Sequence, residues 1–209
     1  MRSAAFIVLH LLILSSLAVA QEHRGFSIEG GLIFQDTPVG NAKNEPYQEM
    51  SSGFGYTANI AYDFTDWVGL ELGVSHSNHN YLYDISGGAV FEETAEKNAF
   101  FLRGRGVPIR LQKFELVAAV GPAFFDITGY RSLDGAEEDF SGIGMNFVLN
   151  GRYNISEGLA ASLFFGASFV TYSRYELFGY RTTYPDELPA GNSIFWGLTL
   201  FHRIGIPRF

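Results

Sequence analysis

The sequence predicts an all-β fold, an eight-stranded antiparallel up-and-down transmembrane β-barrel with short turns at one rim and long loops at the other. Large apolar residues alternate with small or polar ones in eight successive runs, the period of strands, whose side chains point to opposite faces in turn. The connections between these runs alternate long, short, long, short, long, short, long, the plan of an even-stranded barrel whose two rims differ. No segment of helix length shows a 3.6-residue apolar period after the first twenty residues, which excludes an α/β fold.

Residues 1–20 have the layout of a secretory signal peptide: Arg2, an apolar run from Ala4 to Leu14, then small residues ending in Ala18-Val19-Ala20. Cleavage is expected before Gln21, leaving residues 21–209 as one barrel domain. The apolar run falls short of the roughly 20 residues that a spanning helix needs. The chain has no cysteine, so disulfides contribute nothing and closure or packing must supply stability. With 22 Asp and Glu against 14 Lys and Arg, the balance is acidic and nucleic acid is excluded as a partner.

The first strand, from about Gly25 to Phe34, sets Phe26, Ile28, Leu32 and Phe34 against Ser27, Glu29 and Gly31. The hairpin from Gly53 to Val74 supplies the second and third. Its apolar side carries Phe54, Tyr56, Ile60, Leu70 and Leu72, its other side Thr57, Asn59, Asp63 and Glu71, and Thr65-Asp66-Trp67 makes the turn. Residues 77–97 read as an exposed loop. The fourth strand, Asn98 to about Ile109, has Arg103 and Arg105 in one register and Pro108 near its end, where a missing ladder donor does least harm. The fifth runs from Phe114 to Ile127, the sixth from Phe140 to Tyr153, the seventh from Leu159 to Tyr172 and the eighth from Asn192 to Phe209.

The faces decide which surface meets what. On the second, third, sixth and seventh strands the polar face is mainly Gly, Ala, Ser, Thr and Asn with few charges, whereas a water-exposed face is normally dense in charge. An eight-strand barrel is just wide enough for side chains to fill it, so small groups around a few large polar ones suit its interior. The apolar face then meets lipid, and a soluble lipocalin-like barrel with the opposite polarity does not fit. Backbone groups in hydrocarbon must all be paired, so the first strand must pair with the eighth. Phe64, Trp67 and Tyr153 near the short turns, with Phe54 and Tyr56 near the long loops, are placed for two aromatic girdles.

Glu29, Glu71, Glu115, Arg103, Arg105, Arg152 and Arg203 fall on or near the inner face of different strands and are read as an interior charge network, because buried charges are costly unless matched. His76, Ser77, Asn78 and His79 cluster at the end of the third strand. Neighbours alternate faces on a strand, so His76 and Ser77 point oppositely and no catalytic residue is assigned. No metal-ligand set of standard spacing is present, and no cofactor is expected. Asp134, Glu137, Glu138 and Asp139 form a solvated acidic rim suited to divalent ions that bridge to lipopolysaccharide phosphates.

The signal peptide, the segment Val107-Pro108-Ile109-Arg110-Leu111 leading into Val120-Gly121-Pro122, and the terminal Phe209 resemble the outer-membrane β-barrel family of the porin superfamily, in the small OmpA/OmpX-type size class and close to PorT-like sequences. The resemblance covers the whole mature chain. It implies residence in the outer membrane of a Gram-negative bacterium among outer-membrane lipids including lipopolysaccharide. It also implies folding by the barrel-assembly machinery with Phe209 as assembly signal, and a bulge is expected to bring Phe209 into register with the lipid-facing Ile194, Trp196, Leu198 and Leu200. The expected role is non-enzymatic, structural or surface-interacting, with a ligand met at the four long loops. A lipid-modifying enzyme of the lipid A deacylase or acyltransferase type and a narrow channel for small hydrophobic molecules are the alternatives.

Overall fold

The computed structural model of the chain describes residues 25–36, 47–50, 52–85, 89–130, 137–156, 158–177, 180–182 and 192–205. The expected signal peptide, Asp134 and Phe209 lie outside them. Eight long strands build the wall: β1 (Gly25–Asp36), β3 (Gly53–Asp63), β4 (Val68–Ile85), β5 (Ala89–Arg110), β6 (Phe114–Tyr130), β7 (Glu137–Asn154), β8 (Leu159–Leu177) and β10 (Ser193–Gly205). Two short strands, β2 (Tyr47–Met50) and β9 (Tyr180–Thr182), add to the outer ends of β4 and β8.

Every long strand pairs antiparallel with its neighbour, and β10 pairs with both β8 and β1, which closes the sheet. Closure has a measurable stagger. From Gly104, paired residues lead one way through Leu70, Tyr62 and Phe26 to Ile204 of β10. The other way they lead through Val120, Phe147 and Ala167 to Ile194 of the same strand. The two ends differ by ten residues (204 − 194), a shear that tilts eight strands by roughly 35–45°.

The short turns are locally specified. Thr65 is buried, and its hydroxyl accepts hydrogen bonds from the backbone N–H of Trp67 at 3.1 Å and of Val68 at 3.0 Å, a side-chain-capped turn. Between Gly106 and Ile109 the β5–β6 register shifts, and Pro108 sits in that irregularity, where a strand tolerates a missing N–H. Val107 instead donates to the carbonyl of Trp67 at 3.0 Å, tying the two turns together.

The wall is apolar outside. Ile60 is 55% exposed, Leu163 59% and Leu200 61%. Water would not tolerate so continuous an apolar surface, since each such side chain gains about 1.5–3 kcal/mol on leaving it. Aromatic rings reinforce this face across strands: Phe34 stacks on Trp196 with centroids 4.4 Å apart and leans on Phe54 at 5.0 Å.

Two expectations are corrected, and one falls partly outside the described residues. Residues 77–97 are mostly strand, with β4 and β5 paired continuously from Val68↔Gly106 to Ile85↔Ala89. β6, β7 and β8 likewise run to Tyr130, from Glu137 and to Leu177. A crossing needs about 9–11 residues, so these 17- to 22-residue strands extend past the membrane. Above the belt, outward positions are His76, Asn78, Asn80, Thr94, Glu96, Asp126 and Thr128, and with water on the outside the alternation that marks a strand disappears. Second, β1 and β10 pair from Gly25↔Gly205 to Asp36↔Ile194 with no register shift, and the register of Phe209, with the bulge expected to set it, lies outside the described residues. Third, the interior is not uniformly small and polar. Its outer half on β5–β8 holds a buried apolar cluster that includes Phe101, Phe125, Ile127, Val170 and Tyr172.

Two tests follow from this geometry. Cysteine at Ile60 reacts with lipid-soluble thiol reagents in a bilayer and cysteine at Asn59 does not; equal labelling removes the assignment of faces. A Cβ at inward Gly55 would overlap the carbonyl oxygen of His76, and one at Gly121 that of Leu102, whereas outward Gly30 has 3.7 Å of clearance. Gly55→Ala and Gly121→Ala are therefore expected to lower the yield of heat-modifiable folded barrel on gels, and Gly30→Ala to leave it unchanged.

Candidate functional site

The lumen gathers the charged residues of the chain, and the strand register explains how. Inward positions of β1, β3, β4, β5, β6, β7 and β10 at the short-turn end carry Glu29, Asp63, Glu71, Arg103, Arg105, Glu115, Arg152 and Arg203. All but Arg203 are buried. Arg105 Nη2 donates to Asp63 Oδ2 at 3.0 Å, and its Nε lies 2.9 Å from Oδ1 as part of the same ion pair. Arg103 pairs with Glu71 through Nη2 and donates from Nη1 to Asn146 Oδ1 at 2.8 Å.

Glu29 is the centre of a second group. Arg152 reaches its Oε2 at 3.2 Å, and Oε1 accepts from Asn150 at 2.9 Å and from the Thr199 hydroxyl. Glu115 collects three arginines: Arg110 at 3.0 Å, Arg152 at 3.5 Å and Arg203 at 4.0 Å. The Arg152 guanidinium also lies 3.7 Å from the Phe201 ring centroid, and that of Arg103 lies 3.9 Å from Phe101. All seven interior residues expected from the sequence lie in the lumen, paired in three separate groups. Asp63 and Arg110 were missed as members. Asp63 shares its parity with Thr57 and Asn59, and that parity was the available signal.

Near mid-barrel these groups leave a cavity of about 30 Å³, bordered by Glu29, Glu71, Arg103, Asn146, Asn150 and Phe195. That is room for about two waters. Two of its lining atoms, Arg103 Nε and Asn150 Oδ1, have no hydrogen-bond partner in the protein, so water there would be bound rather than passing.

A second polar group closes the outer part of the lumen. Ser193 Oγ accepts from Gln35 Nε2 at 2.9 Å and from Lys97 Nζ at 3.1 Å, and Ser77 Oγ donates to Gln35 Oε1 at 3.3 Å. Ser77 Oγ lies 2.8 Å from His79 Nε2. His76 points the other way, outside the wall, with Nδ1 2.8 Å from Asn98 Oδ1 and its ring against Tyr56. The histidine beside Ser77 is therefore the one two residues on, which the loop reading of 77–97 concealed. Ser77 and His79 are 1% and 2% exposed, and neither borders the mid-barrel cavity. Among the described residues no three His, Asp or Glu side chains converge as metal ligands.

Outside, the aromatic residues expected at the girdles are all exposed: Phe64, Trp67 and Tyr153 by the short turns, Phe54 and Tyr56 toward the other rim. Above the belt the surface is acidic. Burial first, then Asp139, holds the Asp126 carboxyl above its ordinary range against the opposing pull of Arg174. Glu96, then burial, Glu137 and Asp139 raise the Tyr130 hydroxyl.

A closed antiparallel barrel with an aliphatic exterior, aromatic rims and a charge-filled lumen is a membrane-spanning β-barrel. Residues 4–180 match the model of the outer membrane protein beta-barrel domain, and the chain belongs to that family. Solved structures share the architecture. OprG from Pseudomonas aeruginosa superimposes with a TM-score of 0.64 at 13% identity, over 90% of this chain and 99% of that one. Neisserial surface protein A gives 0.63 at 6% identity, over 88% and 100%. Ail, the attachment invasion locus protein of Yersinia pestis, solved with the heparin analogue sucrose octasulfate, gives 0.54 at 11% identity, over 87% and 99%. No curated protein sequence matches. Identities this low carry the fold and not the role.

Breaking one buried pair tests the network. Glu71→Ala, which strands Arg103, is expected to cost about 3–5 kcal/mol, while Glu71→Met with Arg103→Met together cost much less. Urea unfolding in detergent micelles measures both.

Proposed function

We propose that this outer-membrane barrel is non-enzymatic, with a structural or surface-contacting role carried by the connections at its outer rim. The observation that supports this is the filled lumen: among the described residues, interlocked arginines and carboxylates lie below, Lys97 and its partners above, and a 30 Å³ cavity between. The strands continue past the membrane as a polar, acidic platform, which lifts the outer connections clear of the lipid surface. Lipopolysaccharide is the proposed neighbour there, its phosphates bridged by divalent cations to acids such as Asp126 and Asp139. Export through a signal peptide spanning residues 1–20 and folding by the barrel-assembly machinery with Phe209 as signal belong to the same proposal. Attachment, which the name of the Yersinia protein states for that protein, is one form of surface contact.

The experiment compares cells carrying the wild-type barrel with cells whose outer connections are cut to short turns. The trimmed barrel is expected to fold, to fractionate with the outer membrane, and to lose binding to immobilised glycans and matrix proteins. Single-channel conductance above background in planar bilayers would overturn this reading in favour of transport. A lipid A profile altered by the wild type and restored by Ser77→Ala would overturn it in favour of lipid modification through the Ser77–His79 pair.

A further inference from the structure

The lipid-facing wall has a dent that its register explains. Gly30 of β1 stands opposite Ala58 of β3, in a row that runs from Leu200 through these two to Val74 and Phe100. The row beneath runs from Leu159 through His202 and Ile28 to Ile60 and Leu72. Where the upper row lacks side-chain bulk, the two rows frame an open groove of about 640 Å³. Its outward walls are apolar except at His202. That imidazole is exposed, over the β7–β8 turn, where a Cβ on Gly158 would lie 3.7 Å from its ring.

The groove climbs as it goes round. Leu159 is the first residue of β8 at the short-turn end, whereas Phe100 lies ten residues (110 − 100) from the corresponding end of β5. Five steps between strands of roughly 4.8 Å each, from β8 through β10, β1, β3 and β4 to β5, on a barrel tilted by about 45°, raise it by roughly 17 Å. That is about half of a ~30 Å hydrocarbon core. The groove therefore spans one leaflet, from the periplasmic headgroup level at His202 to near the midplane.

We propose that this groove binds one phospholipid of the periplasmic leaflet, an acyl chain lying along the dent and the phosphate over His202. A flexible chain can follow a diagonal depression on a convex wall. A second barrel, also convex, touches ridges and leaves such a floor empty. The imidazole at headgroup level supplies the N–H donor that a phosphate seeks and a hydrocarbon tail does not. Bound in this way, the lipid would cover the stretch of wall where β10 closes onto β1.

Native mass spectrometry of the full-length barrel in mild detergent, titrated with palmitoyl-oleoyl phosphatidylethanolamine, tests the site. The wild type is expected to retain one phospholipid. Gly30→Leu fills the dent and is tolerated because its Cβ meets nothing closer than 3.7 Å; it is expected to weaken retention at least tenfold, and Ala58→Phe fills the same floor from the neighbouring strand. His202→Gln is expected to erase the preference for phosphatidylethanolamine over the matching diacylglycerol. The proposal is overturned if the wild type retains no phospholipid, if folded Gly30→Leu and Ala58→Phe both retain it undiminished, or if the groove-filling variants abolish a dimer mass instead.

Discussion

Pairing of β1 with β10 is the constraint on which everything else rests. In hydrocarbon an unpaired backbone N–H or carbonyl has no water to turn to, so an open sheet would leave two edges unsatisfied along their whole length. The twelve residue pairs from Gly25↔Gly205 to Asp36↔Ile194 remove both edges at once. Closure at eight strands with a shear of ten fixes the radius, and the radius fixes the interior. There is space for one layer of inward side chains from each wall, and they must interlock. Arginine suits this space because a planar guanidinium can hold a carboxylate, cap an aromatic ring and bridge two acids at once, as Arg152 does with Glu29, Glu115 and Phe201.

The same radius explains the close approach at Gly55 and Gly121. Curling a sheet this tightly brings the carbonyls of adjacent strands under inward Cα atoms, and glycine is the residue that yields. Charge and packing then divide the lumen by height. The short-turn half is filled by ion pairs and the outer half by Phe125, Ile127, Val170 and Tyr172, with Lys97 beside Ile127 on the adjacent strand, over the Phe125 ring and hydrogen-bonded to Ser193. Each half is filled by different chemistry.

How much of this was legible depended on what each residue faces. Where one side of a strand meets lipid and the other meets the lumen, as in Phe54 to Asp63, parity in the sequence assigns both faces and therefore the interior charges. Where β4 and β5 leave the membrane, water lies outside as well, and His76 to Asn80 lose the contrast that announces a strand. The Ser77–His79 contact followed that loss, although the spacing of two residues would have revealed it once the strand was extended. On β6, Val117, Ala119, Ala123 and Phe125 face inward yet are as apolar as a lipid face. No periodicity separates the two sides there, and only the closed register decides. The cross-chain partners of Glu29, which lie more than a hundred residues away at Asn150, Arg152 and Thr199, depend on closure too.

The pairing of Gly25 with Gly205 sets both ends of the barrel wall side by side at the short-turn rim. The wall thus begins and ends at the periplasmic rim. Cargo fused at either end is therefore delivered inward, where a short peptide could join the two ends and permit the chain to be reopened elsewhere. Display on the cell exterior has to be grafted into a hairpin connection, because at that rim the wall offers loops and no ends.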